Sequence, residues 1–235
     1  MIKFWVLRSV CMLAFFAAGF AQVYGQEDTS ANQSGQFSVG GRLGGVLGFT
    51  GYSAGAESLL RPEFSYQNAR VFVEPKINFN AALYCNFAIT NRLSVQAELN
   101  FMIVQGYELM ARRQERGQDS FDINYSSLDI PLLLRFNFLS PQRMFGIMAG
   151  PQISIPLGRL EVYDNRAEEY IDKLNIDSPV LFGFAAGLFG GFQAGPGRVV
   201  GDLRFIFDFN RLQAEGLYVS LRRAVALSVG YEISF

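Results

Sequence analysis

Val225-Ala226-Leu227-Ser228-Val229-Gly230-Tyr231-Glu232-Ile233-Ser234-Phe235 is the stretch that decides the fold of this chain. Val225, Leu227, Val229, Tyr231, Ile233 and Phe235 fall on one face of a strand, and Ala226, Ser228, Gly230, Glu232 and Ser234 on the other, because strand side chains alternate with a period of two. The sequence then stops. Chain ends usually fray unless tied down. An apolar last strand with an aromatic terminus therefore suits a closed barrel, in which the last strand pairs with the first.

The opposite end says where such a barrel belongs. Lys3 and Arg8 form a short basic start, and an apolar run follows from Val10 to Ala21. About twelve residues are too few for a helix to span a bilayer, which takes about 20. Small residues lie at its end and just beyond, at Gly19, Ala21 and Gly25, the layout of a secretory signal peptide. The expected division is a signal peptide over residues 1–25, a flexible periplasmic leader over 26–36 and one barrel domain over 37–235. Cleavage after Gly25 is favoured, with Ala21 as the rival. Cys11 lacks the small-residue lead of a lipoprotein site and is read as part of the signal.

Hydrophobic content is 50% and charged content 17%. No window beyond the signal holds the 18 or more consecutive apolar residues of a membrane helix. Of the 20 basic residues, Lys3 and Arg8 leave with the signal, so against 21 acidic ones the mature charge is −3. That disfavours nucleic acid as a partner. Only Cys85 stays, which excludes an internal disulfide and a cysteine-rich metal site.

Eight alternating segments can be laid along the remainder: 37–49, 73–87, 93–107, 127–138, 143–157, 180–192, 199–209 and the terminal one. In the third, Leu93, Val95, Ala97, Leu99, Phe101 and Ile103 oppose Ser94, Gln96, Glu98 and Asn100. In the seventh, Leu203, Phe205, Phe207 and Phe209 oppose Asp202, Arg204, Ile206 and Asp208. The connections alternate between short (88–92, 139–142, 193–198) and long (50–70, 108–125, 158–179, 210–222). Outer-membrane barrels have an even strand number, short periplasmic turns and long outer loops. The expected fold is all-β, an eight-stranded antiparallel transmembrane up-and-down β-barrel.

A soluble lipocalin-type barrel also has eight alternating strands, with its apolar face inside. Three features weigh against it. The apolar face is nearly free of charge along every strand. Phe37, Phe87, Phe136, Phe138, Phe145, Phe192 and Phe235 gather at the ends that the topology makes periplasmic, as an interfacial aromatic girdle should. The third is the aromatic last strand together with the export signal.

Ser127-Leu128-Asp129-Ile130-Pro131-Leu132-Leu133-Leu134-Arg135-Phe136 resembles the "Leu-acidic-Ile-Pro-Leu-Leu" strand of small bacterial outer-membrane barrels of the PorT-like class, akin to OmpX, OmpA and OmpW. Ile89 to Gln96 is similar to a periplasmic hairpin of that group, and Gly150 to Ser154 to its fifth strand. Ser228, Gly230, Tyr231, Ile233 and Phe235 resemble its barrel-assembly signal: a polar residue, a glycine two on, and spaced hydrophobics ending in Phe. The resemblance implies an outer-membrane location and contact with the assembly machinery. Such a group shares a fold more than a task.

The chain has no histidine, which removes Ser-His-Asp and Cys-His catalysis. The expectation is a non-enzymatic protein with no cofactor and no metal. Gly40-Gly41-Arg42-Leu43-Gly44-Gly45 lacks the helix that a phosphate loop needs. The polar face carries Arg42, Lys76, Arg135 and Arg204 against Glu74, Glu98, Asp129, Asp202, Asp208 and Glu232. Eight strands leave an interior just wide enough for side chains to fill. A packed charge network that plugs the barrel is therefore expected, with Arg42, Arg204 and Glu232 linked across strands one, seven and eight. The alternative is a narrow cation pathway, lined by the acidic excess, for ions or small solutes. In the second outer loop Arg112, Arg113 and Arg116 are candidates for binding lipid or glycan phosphates. The third loop is acidic, at Glu161, Asp164, Glu168, Glu169, Asp172 and Asp177, without EF-hand spacing, and a short helix is expected within 159–175. The partners foreseen are outer-membrane lipid, the barrel-assembly machinery and an envelope or extracellular protein.

Overall fold

A computed structural model describes residues 35–51, 70–113, 117–139, 143–165, 169–215 and 217–235. The expected signal peptide, most of the leader, Arg116 and Glu168 lie outside these residues. The strands are β1 (Phe37–Gly51), β2 (Arg70–Pro75), β3 (Ile77–Ala88), β4 (Leu93–Arg113), β5 (Gly117–Asn137), β6 (Arg143–Asp164), β7 (Glu169–Asn175), β8 (Leu181–Ala194), β9 (Gly197–Asp208), β10 (Leu212–Ala214) and β11 (Leu217–Ser234). Eight of them close a ring in the order β1-β3-β4-β5-β6-β8-β9-β11, with β11 back on β1. Every pairing is antiparallel between chain neighbours, so the barrel is up-and-down. Closure runs from Ser38↔Ser234 to Gly51↔Leu221, and the Phe235 amide donates to the Phe37 carbonyl at 2.8 Å. Among the described residues no helix is long and apolar enough to cross a membrane.

Alternation sets the two faces. In β3 the burial reads as a strict two-residue repeat, with Asn78, Asn80, Ala82, Tyr84 and Asn86 inside and Ile77, Phe79, Leu83 and Phe87 outside. Leu43 (70% exposed), Phe79 (65%) and Leu227 (63%) typify the outer surface. A continuous apolar surface of this extent is untenable in water, whereas a bilayer covers it. The lipocalin arrangement is thereby excluded.

The end that carries both termini has tight turns. Thr90 Oγ1 accepts from the amides of Arg92 (3.2 Å) and Leu93 (3.0 Å). Between the paired Ala194 and Gly197 only Gly195 and Pro196 remain. Gly195 has φ +65° and proline fixes a negative φ after it, which makes a type II′ turn, one whose twist suits a hairpin. Phe136, Phe138 and Phe145 pack there with ring centroids 5.5 and 6.2 Å apart.

At the other end the expected loops are largely strand. Residues 108–113 and 117–125 continue β4 and β5 as a long hairpin. The region foreseen as a short helix within 159–175 is instead the β6–β7 hairpin, from Arg159↔Asn175 to Asp164↔Glu169. Val162, Leu160 and Leu174 bury their side chains in strand pairing, which no isolated helical turn would achieve. Expected strand two breaks at Lys76: β2 pairs with β4 and β3 with β1. These changes fall around one level. The β4–β5 register shifts between Met102 and Gln105, the β5–β6 register shifts between Asn124 and Ser126, and Gly158 adopts φ +81° opposite the latter. Such bulges occur at barrel rims. A strand needs about 9–11 residues to cross a bilayer, so the 21-residue β4 and β5 extend well past it.

Candidate functional site: the charged interior

The inward positions of β1, β4, β9 and β11 converge on Glu98. Arg204 meets it bidentately, Nη1 to Oε2 at 2.7 Å and Nη2 to Oε1 at 2.8 Å. Arg42 Nη2 and Gln96 Nε2 also donate to Glu98. Asp202 closes the group, accepting from Arg42 Nη1 at 2.7 Å and lying 3.0 Å from Arg204 Nε. All four charged residues are buried. Nothing but good geometry makes such burial tolerable, since each charge loses its water.

A second group lies toward the long hairpins. Arg222 Nη1 donates to Asp129 at 2.9 Å, its Nη2 to Asp208 at 3.0 Å and to Ser154 at 2.6 Å. Ser127 Oγ and Gln152 Nε2 also donate to the Asp129 carboxylate, at 2.8 and 3.3 Å. Toward the termini, Glu232 lies 3.5 Å from Arg135 and 3.7 Å from Arg198. The Arg135 guanidinium also sits 4.1 Å above the Phe189 ring, a cation–π contact. Apolar layers separate these groups. Val46, Met102, Ile206, Ala224 and Ala226 form one, and Leu133, Met144, Met148, Ala185, Phe189 and Val200 the other. Along β9 the inward side chains therefore run Val200, Asp202, Arg204, Ile206, Asp208.

Eight of the ten residues expected in the network are buried inside: Arg42, Glu98, Asp129, Arg135, Asp202, Arg204, Asp208 and Glu232. Two are not part of it. Glu74 is exposed on β2, displaced by the break after Pro75. Lys76 is half-buried at the outer rim, 2.6 Å from Asp122. The expected link of Glu232 to Arg204 and Arg42 is also replaced, because strand stagger sets Glu232 beside Arg135 and Arg198 while Glu98 takes the other two arginines. Arg222 ends the connection expected over 210–222, yet counting back by twos from Glu232 through Gly230, Ser228, Ala226 and Ala224 places it inward. With Arg198 and Arg222 counted, five arginines face five carboxylates among the described residues, and the expected acidic excess is not seen there.

The cavity between Arg42, Tyr84, Gln96, Arg135 and Arg204 has a volume of about 10 Å³, room for one water at most. A shallow vestibule of about 40 Å³ opens at the terminal end beside Asn86, Asn137 and Arg198. In the terminal strand Ser228 is buried opposite Asp202, and Gly230 faces Arg42. A Cβ on Gly230 would lie 2.6 Å from Arg42 Cβ and would strike the Gly41 carbonyl. Tyr231 donates its hydroxyl to the Ala194 carbonyl at 2.8 Å, while Ile233 and Phe235 face outward. Arg112 and Arg113 end β4, opposite Gln118 and Gly117. Among the described residues no group of histidine, cysteine, aspartate and glutamate is disposed to hold a metal.

A family model described as "Outer membrane protein beta-barrel domain" matches residues 20–214. The chain belongs to that family. Its place is the outer membrane, with the short turns on the periplasmic side and the long hairpins outside. No curated protein matches the chain in sequence. Among solved structures, the outer membrane protein OprG from Pseudomonas aeruginosa is similar at 13% identity and a TM-score of 0.53, over 88% of this chain and 99% of that one. Neisserial surface protein A matches at 13% identity and TM-score 0.41, over 86% and 100%. The attachment invasion locus protein Ail of Yersinia pestis matches at 13% identity and TM-score 0.38, over 85% and 99%. At such identity the likeness to OprG is one of fold, and this barrel-domain family member must be understood from its own side chains.

Proposed function

We propose that this outer-membrane barrel is a sealed, non-enzymatic membrane scaffold whose hairpins and rims meet protein partners outside the cell or in the envelope. The observation that carries the reading is the balanced interior: among the described residues, five arginines and five carboxylates form three groups that alternate with two apolar layers, around a central cavity of about 10 Å³. The absence of histidine supports a role without catalysis. Ser228, Gly230, Tyr231, Ile233 and Phe235 serve the assembly machinery as its recognition strand, and Arg112, Arg113 and Arg116 supply cationic contacts for anionic groups at the outer loop. Outer-membrane lipid surrounds the apolar belt, and no cofactor takes part. Single-channel recording in planar bilayers tests the scaffold against the rival, a narrow ion or solute channel. The scaffold gives near-zero conductance in the unmodified protein. Steady, cation-selective current would overturn it.

A further inference from the structure

The ladder between β9 and β11 forks at its outer end. Their pairing stops at Phe207↔Arg223. Beyond it Phe209 stays with β8, its amide donating to the Phe182 carbonyl at 2.7 Å, and Asn210 holds the same neighbour through Phe182 N at 2.6 Å. The partner strand meanwhile turns to β10, where Leu212 pairs with Ser220. The fork opens a groove of about 350 Å³ lined by Phe184, Phe207, Phe209, Leu221 and Arg223, with Asp208 at its floor. The Asp208 carboxylate is committed to Arg222 inside the barrel.

Arg223 is the odd member of this groove. It is exposed on the lipid-facing side of β11, in line with Tyr231, Val229, Leu227 and Val225. A strand rises about 3.4 Å per residue. With the usual tilt of about 35–45°, Arg223 stands about 20 Å above the Tyr231 level, near the top of an apolar belt about 25 Å tall. No carboxylate among the described residues pairs with it. A cation at headgroup height, paired across the ladder with Phe207 and bordering an apolar groove with Phe184 and Phe209, is complementary to one class of molecule. We propose that the β9–β11 fork is a binding site for an anionic phosphate-bearing lipid of the outer leaflet, with the phosphate on Arg223 and an acyl chain among Phe184, Phe207 and Phe209. The site lies on the outside of the barrel and is indifferent to whether the interior conducts.

Native mass spectrometry of the folded barrel in detergent, titrated with dimyristoyl phosphatidic acid or dimyristoyl phosphatidylcholine, tests this. One phosphatidic acid should be retained where phosphatidylcholine is lost. Arg223→Gln should weaken that single adduct about tenfold, the scale of one charge-assisted contact, and Arg223→Lys should recover most of it. Phe209→Ala should weaken it while leaving Arg223 in place. Heat-modifiable migration confirms that each variant is folded. Equal retention by Arg223→Gln overturns the proposal. So does displacement of the lipid by millimolar inorganic phosphate, which would make the site one for phosphate alone, or a lipid-free dimer that the same variants abolish, which would make a second copy the occupant.

Discussion

Glu98 holds two arginines and a glutamine, so its removal does more than delete one ion pair. Glu98→Gln leaves Arg42 and Arg204 facing Asp202 alone in the buried interior. Unpairing a buried charge costs about 3–5 kcal/mol. The variant should therefore unfold at lower urea, followed by the shift of the heat-modifiable band. Asp202→Asn should lose less, because both arginines keep Glu98. Equal losses would mean that Glu98 is not the centre of the group. The alternating parity made most of these residues legible in the sequence: Glu98, Asp202, Arg204 and Glu232 each fall on the face opposite a regular apolar row. Parity alone did not give the pairing, which depends on stagger between strands far apart in the chain. Arg222 was hidden for a different reason. Arg223 beside it is also charged, so the strand pattern is interrupted where one cation turns in and the next turns out.

On the scale of a strand, β9 puts the two faces side by side. Leu203 and Phe205 are 37% and 49% exposed toward lipid while Arg204 between them is buried. Leu203→Arg should destabilise the barrel by about 2–4 kcal/mol toward mid-bilayer, and Phe205→Arg, nearer the outer edge of the belt, by less, measured by folding titrations into lipid vesicles. A polar change at Ile206 should act instead through the apolar layer with Met102 and Val46. Tolerance of arginine at both outward positions would contradict the lipid-facing assignment. Gly230→Ala offers a check on β11, since its new methyl meets Arg42 and the β1 backbone; reduced folded yield is expected, with the unfolded protein made at normal levels. The spanning strands were readable because lipid and core impose a strict two-residue repeat on them. The hairpins beyond the membrane were not, because neither face there answers to lipid. Residues such as Tyr163 and Tyr170, whose rings contact at 5.1 Å across β6 and β7, mimic helical spacing in the sequence and are brought together only by strand pairing.

For the molecule as a whole, the proposed seal rests on three charged groups and two apolar layers acting in series. Arg222→Ala leaves Asp129 and Asp208 close together without their cation, and Arg204→Ala leaves Glu98 and Asp202 to share Arg42 alone. Either variant should raise bilayer conductance from near zero and favour cations, since the exposed charge is then acidic. Conductance unchanged in both, with normal folding, would place the barrier in the apolar layers alone. The break at Pro75, the bulge opposite Ser126, the left-handed Gly158 and the fork at Phe209 all fall near one height, where lipid gives way to water. Register is reset at that height, so the barrel below does not inherit it from the hairpins above. Those outer segments are in effect exchangeable cassettes. A surface under pressure to change its appearance can replace them wholesale, because a one-residue slip above the reset is absorbed there and does not turn the faces of the spanning strands inside out.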